Sequence, residues 1–151
     1  MTLPSIFNSM GSIMKEIQTN EILQTNEVSK KYGLALTAFE AAEIVEVRNH
    51  LLQSYGRVEL DMEATRKLIY NFSASPFINQ EDYVSALKDL QEIFYYLKNE
   101  TNDEIGDDNL IEIIKDLLNN TCEGSIELLQ GRELDAFIRD CRLKCNMTDS
   151  L

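Results

Sequence analysis

The segment from Gln80 to Asn102, QEDYVSALKDLQEIFYYLKNETN, contains neither proline nor glycine, and its apolar residues recur at Tyr83, Ala86, Leu87, Leu90, Ile93, Phe94 and Leu97. Intervals of three and four place these side chains on one stripe of an α-helix. Tyr95 and Tyr96 fall off that stripe, toward the flanks of the opposite side. A helix that is apolar on one face and aromatic on its back touches neighbours on more than one side. The spacing predicts a long central helix, roughly residues 80–102, in an all-α domain.

Shorter helices are punctuated around it. Thr37-Ala38-Phe39-Glu40 is a capping box, opening a helix that runs to about Tyr55, with Gly56 as its stop. Its stripe is Ala41, Ile44, Val45, Leu51, Leu52 and Tyr55. Residues 57–60 read as briefly extended. Asp61 caps a short helix ended by Ser75-Pro76, because proline pushes the residue before it out of the α region. Asn79 caps the central helix, and Asp107 or Asp108 starts the next one, which Glu123-Gly124 breaks. Ser125 caps a short turn that Gly131 stops, and a last helix spans roughly Arg132 to Cys145. Residues 21–32 read as a weak helix stopped by Gly33. Residues 1–18 read as an arm or a docking helix from about Ser12, and residues 146–151 as a frayed tail. The expectation is one bundle-like domain, residues 19–145, of about five to seven helices.

Composition narrows the function classes. A chain of 151 residues with 44% hydrophobic and 26% charged residues suits one globular domain. The net charge of −12 is concentrated: residues 1–57 carry −1, 58–131 carry −11 and 132–151 carry none. Such a surface repels nucleic-acid phosphates and anionic lipid, and suits a basic partner or plain solubility. Cys122, Cys141 and Cys145 lack paired spacing, which points to free thiols in a reducing cytoplasm. No run is apolar enough to span a bilayer, and the N-terminus lacks the pattern of a signal peptide.

Arg48 is the residue that breaks the pattern, falling in the middle of its helix's apolar stripe. A guanidinium buried without a partner costs on the order of several kcal/mol. Arg48 therefore snorkels, pairs with a carboxylate such as Glu40, Glu59 or Glu100, or meets an anion in an interhelical pocket. The only histidine, His50, lies on the polar side of the same helix and reads as solvated surface. Cys141 and Cys145 share a face but continue an apolar stripe, so a zinc site is disfavoured. The stretch Thr101 to Glu112 aligns poorly with a calcium loop. Gly106 and Glu112 fit, but Thr101 and Ile105 stand where oxygen ligands belong, so an acidic solvated loop is expected. No nucleotide, metalloprotease or hydrolase motif occurs.

The segments KYGLALT (31–37), AAEIVEVRNHLL (41–52), GRVEL (56–60) and SPFINQEDYVSALKDLQEIFYYLKNET (75–101) resemble an uncharacterised domain family of anaerobic, spore-forming Gram-positive bacteria. The resemblance covers roughly residues 21–140, and FYYLKNET is its most distinctive part. It implies a small bacterial protein and carries over no catalytic residue, since the family has no assigned activity. The expected function is a cytoplasmic, acidic protein-interaction or regulatory module without catalysis or cofactor, acting as a homodimer or with a protein partner, with Tyr95 and Tyr96 as candidate interface residues. The competing expectation is a small-molecule or anion-binding domain, or a cryptic enzyme, with its pocket near Arg48. An acidic mimic of nucleic acid is a third reading, resting on charge alone.

Overall fold

The computed structural model describes residues 3–149, with side chains described over residues 11–144. The helices are α1 (Leu3–Leu23), α2 (Asn26–Ser29), α3 (Ala38–Ser54), α4 (Glu63–Phe72), α5 (Tyr83–Glu100), α6 (Asp107–Asp116), α7 (Ile126–Leu128) and α8 (Leu134–Asp149). The described residues contain no strand, and the fold is an all-α single domain. No helix among them is long and apolar enough to cross a membrane.

α5 is the axis of the bundle, packed by α3, α4, α6 and α8. Its stripe residues Tyr83, Leu87, Leu90, Ile93, Phe94 and Leu97 are all buried, and so is Tyr95 on its back. Burial on both sides is what a helix enclosed by neighbours must tolerate. The helix begins at Tyr83 rather than Gln80 because the preceding residues form a turn. Asn79 Oδ1 accepts from the Asp82 N–H at 3.0 Å, so Asn79 caps that turn instead. Gln91, 1% exposed, ties three helices together. Its Nε2 donates to the Ile44 carbonyl of α3 at 3.2 Å, and its Oε1 accepts from Thr65 Oγ1 of α4 at 2.7 Å.

Local punctuation works as read at several points. Thr37 and Glu40 form the reciprocal capping box of α3. Gly33 and Gly56 stand in the left-handed region, at φ 78° and 64°, past the helical segments they end. Two points differ. α1 runs unbroken from Leu3, because a proline in the first turn removes only an N–H that has no intrahelical acceptor. Gly11 sits inside it at a cost of about 1 kcal/mol. Tertiary contacts with α3 support this helix: Lys15 pairs with Glu46, and Asn49 Nδ2 donates to Gln18 Oε1 at 3.1 Å. Gly131, expected as a stop, lies within a π-helical turn, Leu129–Glu133, that runs directly into α8. α8 continues to Asp149, and residues 150 and 151 of the expected tail lie outside the described residues.

The long connections contain little regular structure, so side-chain amides satisfy their backbone. Asn26 brackets Leu36, accepting from its N–H at 2.8 Å and donating to its carbonyl at 2.9 Å. Gln80 does the same for Ala35 at 2.8 and 2.9 Å. This extended stretch is paired on both sides, and its Leu34 and Leu36 enter the core.

Gly124 provides a direct test of the packing. It sits at φ +86°, and a Cβ there would lie 2.3 Å from the Phe77 ring. Both the left-handed backbone and the close approach demand glycine. Gly124→Ala is expected to destabilise the fold by roughly 2–4 kcal/mol in urea unfolding.

Candidate functional site

Arg48 lies on the buried face of α3 at 2% exposure, as its place on the stripe requires. Its partners are mostly backbone. Nη2 donates to the carbonyls of Glu59 at 2.8 Å and Asp61 at 2.5 Å, and Nη1 donates to Asn49 Oδ1 at 2.8 Å. Two carbonyls held by one nitrogen lie closer together than the two-residue rise of an extended strand, about 6.6 Å, so the chain bends at Asp61 where it crosses Arg48. Residues 57–61 therefore form a strap across the helices, pinned from beneath by Arg48. No carboxylate lies within ion-pair distance of Arg48 among the described residues. The expected partner Glu59 serves through its carbonyl, because its carboxylate is engaged elsewhere.

That carboxylate accepts from the Tyr95 hydroxyl at 2.8 Å and lies 3.5 Å from Arg57 Nε. Burial first, then the nearby Glu59 charge, pushes the Tyr95 phenol well above its ordinary range, so it stays protonated. Arg57 stands over the Tyr95 ring at 5.9 Å and grips Asp103 with two bonds, at 2.6 and 3.2 Å. Lys98, only 8% exposed, completes the chain of charges. Its ammonium donates to the Ile105 carbonyl at 3.0 Å, pairs with Asp107 at 2.8 Å and lies 3.8 Å from Asp103. Asn102 and Asp103 both adopt positive φ, 53° and 59°, to bring this loop around. Left-handed backbone costs about 1–2 kcal/mol per non-glycine residue, and the bonds to Arg57 and Lys98 oppose that cost. The loop read as solvated and acidic is thus closed around a lysine ammonium.

The tyrosines separate. Tyr95 is 0% exposed and covered by its own chain, edge-on to Phe94 with centroids 5.0 Å apart, which removes it from any surface. Tyr96 is half-buried, donates to Asp135 Oδ1 at 3.3 Å, and lines a groove of about 420 Å³ with Leu51, Tyr55, Ile93 and Leu134. A larger cleft of about 740 Å³ lies between the C-terminal end of α5 and the middle of α8, lined by Asn99, Ile105, Ile138, Cys141 and Arg142. Arg48 lines neither. His50 is exposed, Cys122 is buried and free, and the Cys145 side chain lies outside the described residues. Gln91 and Lys98 were not singled out from the sequence. Both fall at helical spacing with Leu87 and Phe94, a polar residue on an apolar stripe, which is the same signal that marked Arg48.

Removing Arg48 leaves two carbonyls of the strap without a donor. Arg48→Met should lower stability by about 2–4 kcal/mol and raise amide exchange across residues 57–61. Stability at or above wild type would show that Arg48 is kept for another reason. The bonds from Arg57 hold the Asp103 carboxyl below its ordinary 3.8. A depressed carboxylate contributes stability above its unfolded pKa and loses it as pH falls through the folded value. Asp103→Asn should therefore flatten the stability–pH curve below about pH 4, measured by thermal unfolding.

No curated protein and no solved structure matches the chain. One family model covers residues 21–147, spanning the strap, the chain of charges and all of α5. The chain belongs to that family, a family of unknown function (DUF6323).

Proposed function

We propose that this protein is an acidic, non-catalytic interaction module of the cytoplasm, with α1 as its principal contact surface. The observation that carries this reading is the outer face of α1. Ile13, Met14 and Ile17 are 56%, 45% and 49% exposed, while Gln18 and Ile22 of the same helix are buried. An apolar helix face left in water favours contact with another chain. The chain of charges supports the same reading, because its carboxylates and cations are engaged with one another. The free, buried Cys122 is consistent with a reducing compartment. The half-buried Tyr96 groove offers a second contact surface, and tyrosine is enriched at such places.

The test is sedimentation velocity of wild type and of Ile13→Lys/Ile17→Lys, alone and with host lysate. The expected result is an assembly, with itself or with a partner, that the double variant loses while keeping its melting temperature. A wild type that stays monomeric and acquires no partner through α1 would overturn the proposal.

A further inference from the structure

The groove beside Tyr96, between α3, α5 and α8, is lined by apolar side chains and carboxylates and by no lysine or arginine. Ile93 and Leu134, both buried, form its floor, and the half-buried Leu51, Tyr55 and Tyr96 stand around them. Glu92 and Asp135, both exposed, form its rim. Glu92 stands one turn before Tyr96 on α5, and Asp135 accepts from the Tyr96 hydroxyl at 3.3 Å. The two carboxylates therefore flank one phenol ring. The cations nearest in sequence serve elsewhere. Lys88, one turn before Glu92, crosses to Glu43 of α3, and Arg132 pairs with Glu133. Arg139, one turn after Asp135 on α8, is exposed and pairs with neither rim carboxylate. Glu92 and Asp135 thus have no cation within ion-pair distance among the described residues. Burial first, then the charges of Asp135 and Glu100, pushes the Tyr96 phenol above its ordinary range, so its hydroxyl stays a donor in a negative field.

At about 420 Å³ the groove has room for one long side chain and part of its neighbours. We propose that it receives an arginine side chain of a partner protein, with the guanidinium over the Tyr96 ring between Glu92 and Asp135 and the methylene stem on Ile93 and Leu134. Charge and shape select this occupant. An aromatic face attracts a cation, and two carboxylates without a cation of their own add to that attraction. Arginine is planar, stacks on aromatic rings, forks to carboxylates and sheds water readily, whereas the lysine ammonium is compact and strongly hydrated. Its stem also covers apolar surface while its head meets charge. A metal ion would leave the apolar floor uncovered. A small guanidinium compound would leave Leu51 and Tyr55 as they are, whereas the residues flanking an arginine in a protein cover them. A second copy of the chain carries −12, brings like charge to an acidic rim and is disfavoured as the occupant.

The proposal rests on the interaction-module reading and names the partner chemistry of its second surface. The probe is acetyl-Leu-Arg-Leu-amide, titrated into the full chain and followed by amide chemical shifts in NMR. The expected result is saturable shifts at Tyr55, Tyr96 and Asp135. The citrulline counterpart, equal in shape but neutral, should not bind, and the lysine counterpart should bind about fivefold more weakly. Glu92→Gln/Asp135→Asn changes two exposed positions, leaves the core intact and should weaken the arginine peptide about tenfold. Absence of saturable shifts in the groove overturns the proposal. So does equal affinity for the citrulline or lysine counterpart, or equal affinity of the double variant. Butylguanidinium that binds as tightly as the peptide also overturns it, naming a small organic cation as the occupant. Groove shifts that grow with protein concentration alone overturn it in favour of a second copy. Ile13→Lys/Ile17→Lys should bind the peptide as wild type does. Loss of arginine binding with an intact α1 effect therefore leaves the interaction module standing, and the converse separates equally well.

Discussion

A guanidinium withdrawn from water must find acceptors, and the position of Arg48 inside α3 organises much of what lies around it. Its hydrogen bonds to the Glu59 and Asp61 carbonyls hold the strap against the bundle. Once the strap is in place, Glu59 can point only inward, to Tyr95 and Arg57. Arg57 in turn meets Asp103, and Asp103 shares Lys98 with Asp107. A series of alternating charges thus runs from Glu59 on the strap to Asp107 at the start of α6. Lys98 and Arg57 are largely withdrawn from water, while Asp103 and Asp107 remain substantially exposed. Coupling is strongest at the buried members, Tyr95 and Lys98, and weaker where water screens the carboxylates.

The same logic governs the connections. An all-α chain has no sheet in which to place the backbone of its extended segments. Asn26 and Gln80 act as substitute strands for Leu36 and Ala35, and Gln91 bridges three helices through one amide. The outward side of the strap is the place where this economy stops. The exposed side chains of Val58 and Leu60 are the feature of the fold that internal stability does not explain.

Much of this was legible in the residues. The periodicity of α5 placed the axis of the bundle, and the Thr37–Glu40 box and Gly33 and Gly56 placed helix ends, because caps and left-handed turns are local chemistry. Arg48 was visible as a charge on an apolar stripe. Its partners were not, since a carbonyl carries no sequence signature and any residue supplies one. Lys98 carries the same signal on α5, but a lysine near a helix end is ordinarily solvated, so the pattern alone does not bury it. Gly131 misled for the opposite reason: glycine permits a stop, and a π-helical turn absorbed it without one.

The sequence by itself determined that this chain is helical, that α5 is central and that Arg48 must either snorkel to water or find partners. These follow from side-chain spacing and from the cost of desolvating charge. Only the tertiary structure decided which face of each helix remains in water. It buried Tyr95, left Ile13 and Ile17 outside, and turned Val58 and Leu60 away from the core. Exposure is a property of what other segments cover, and no local pattern records that.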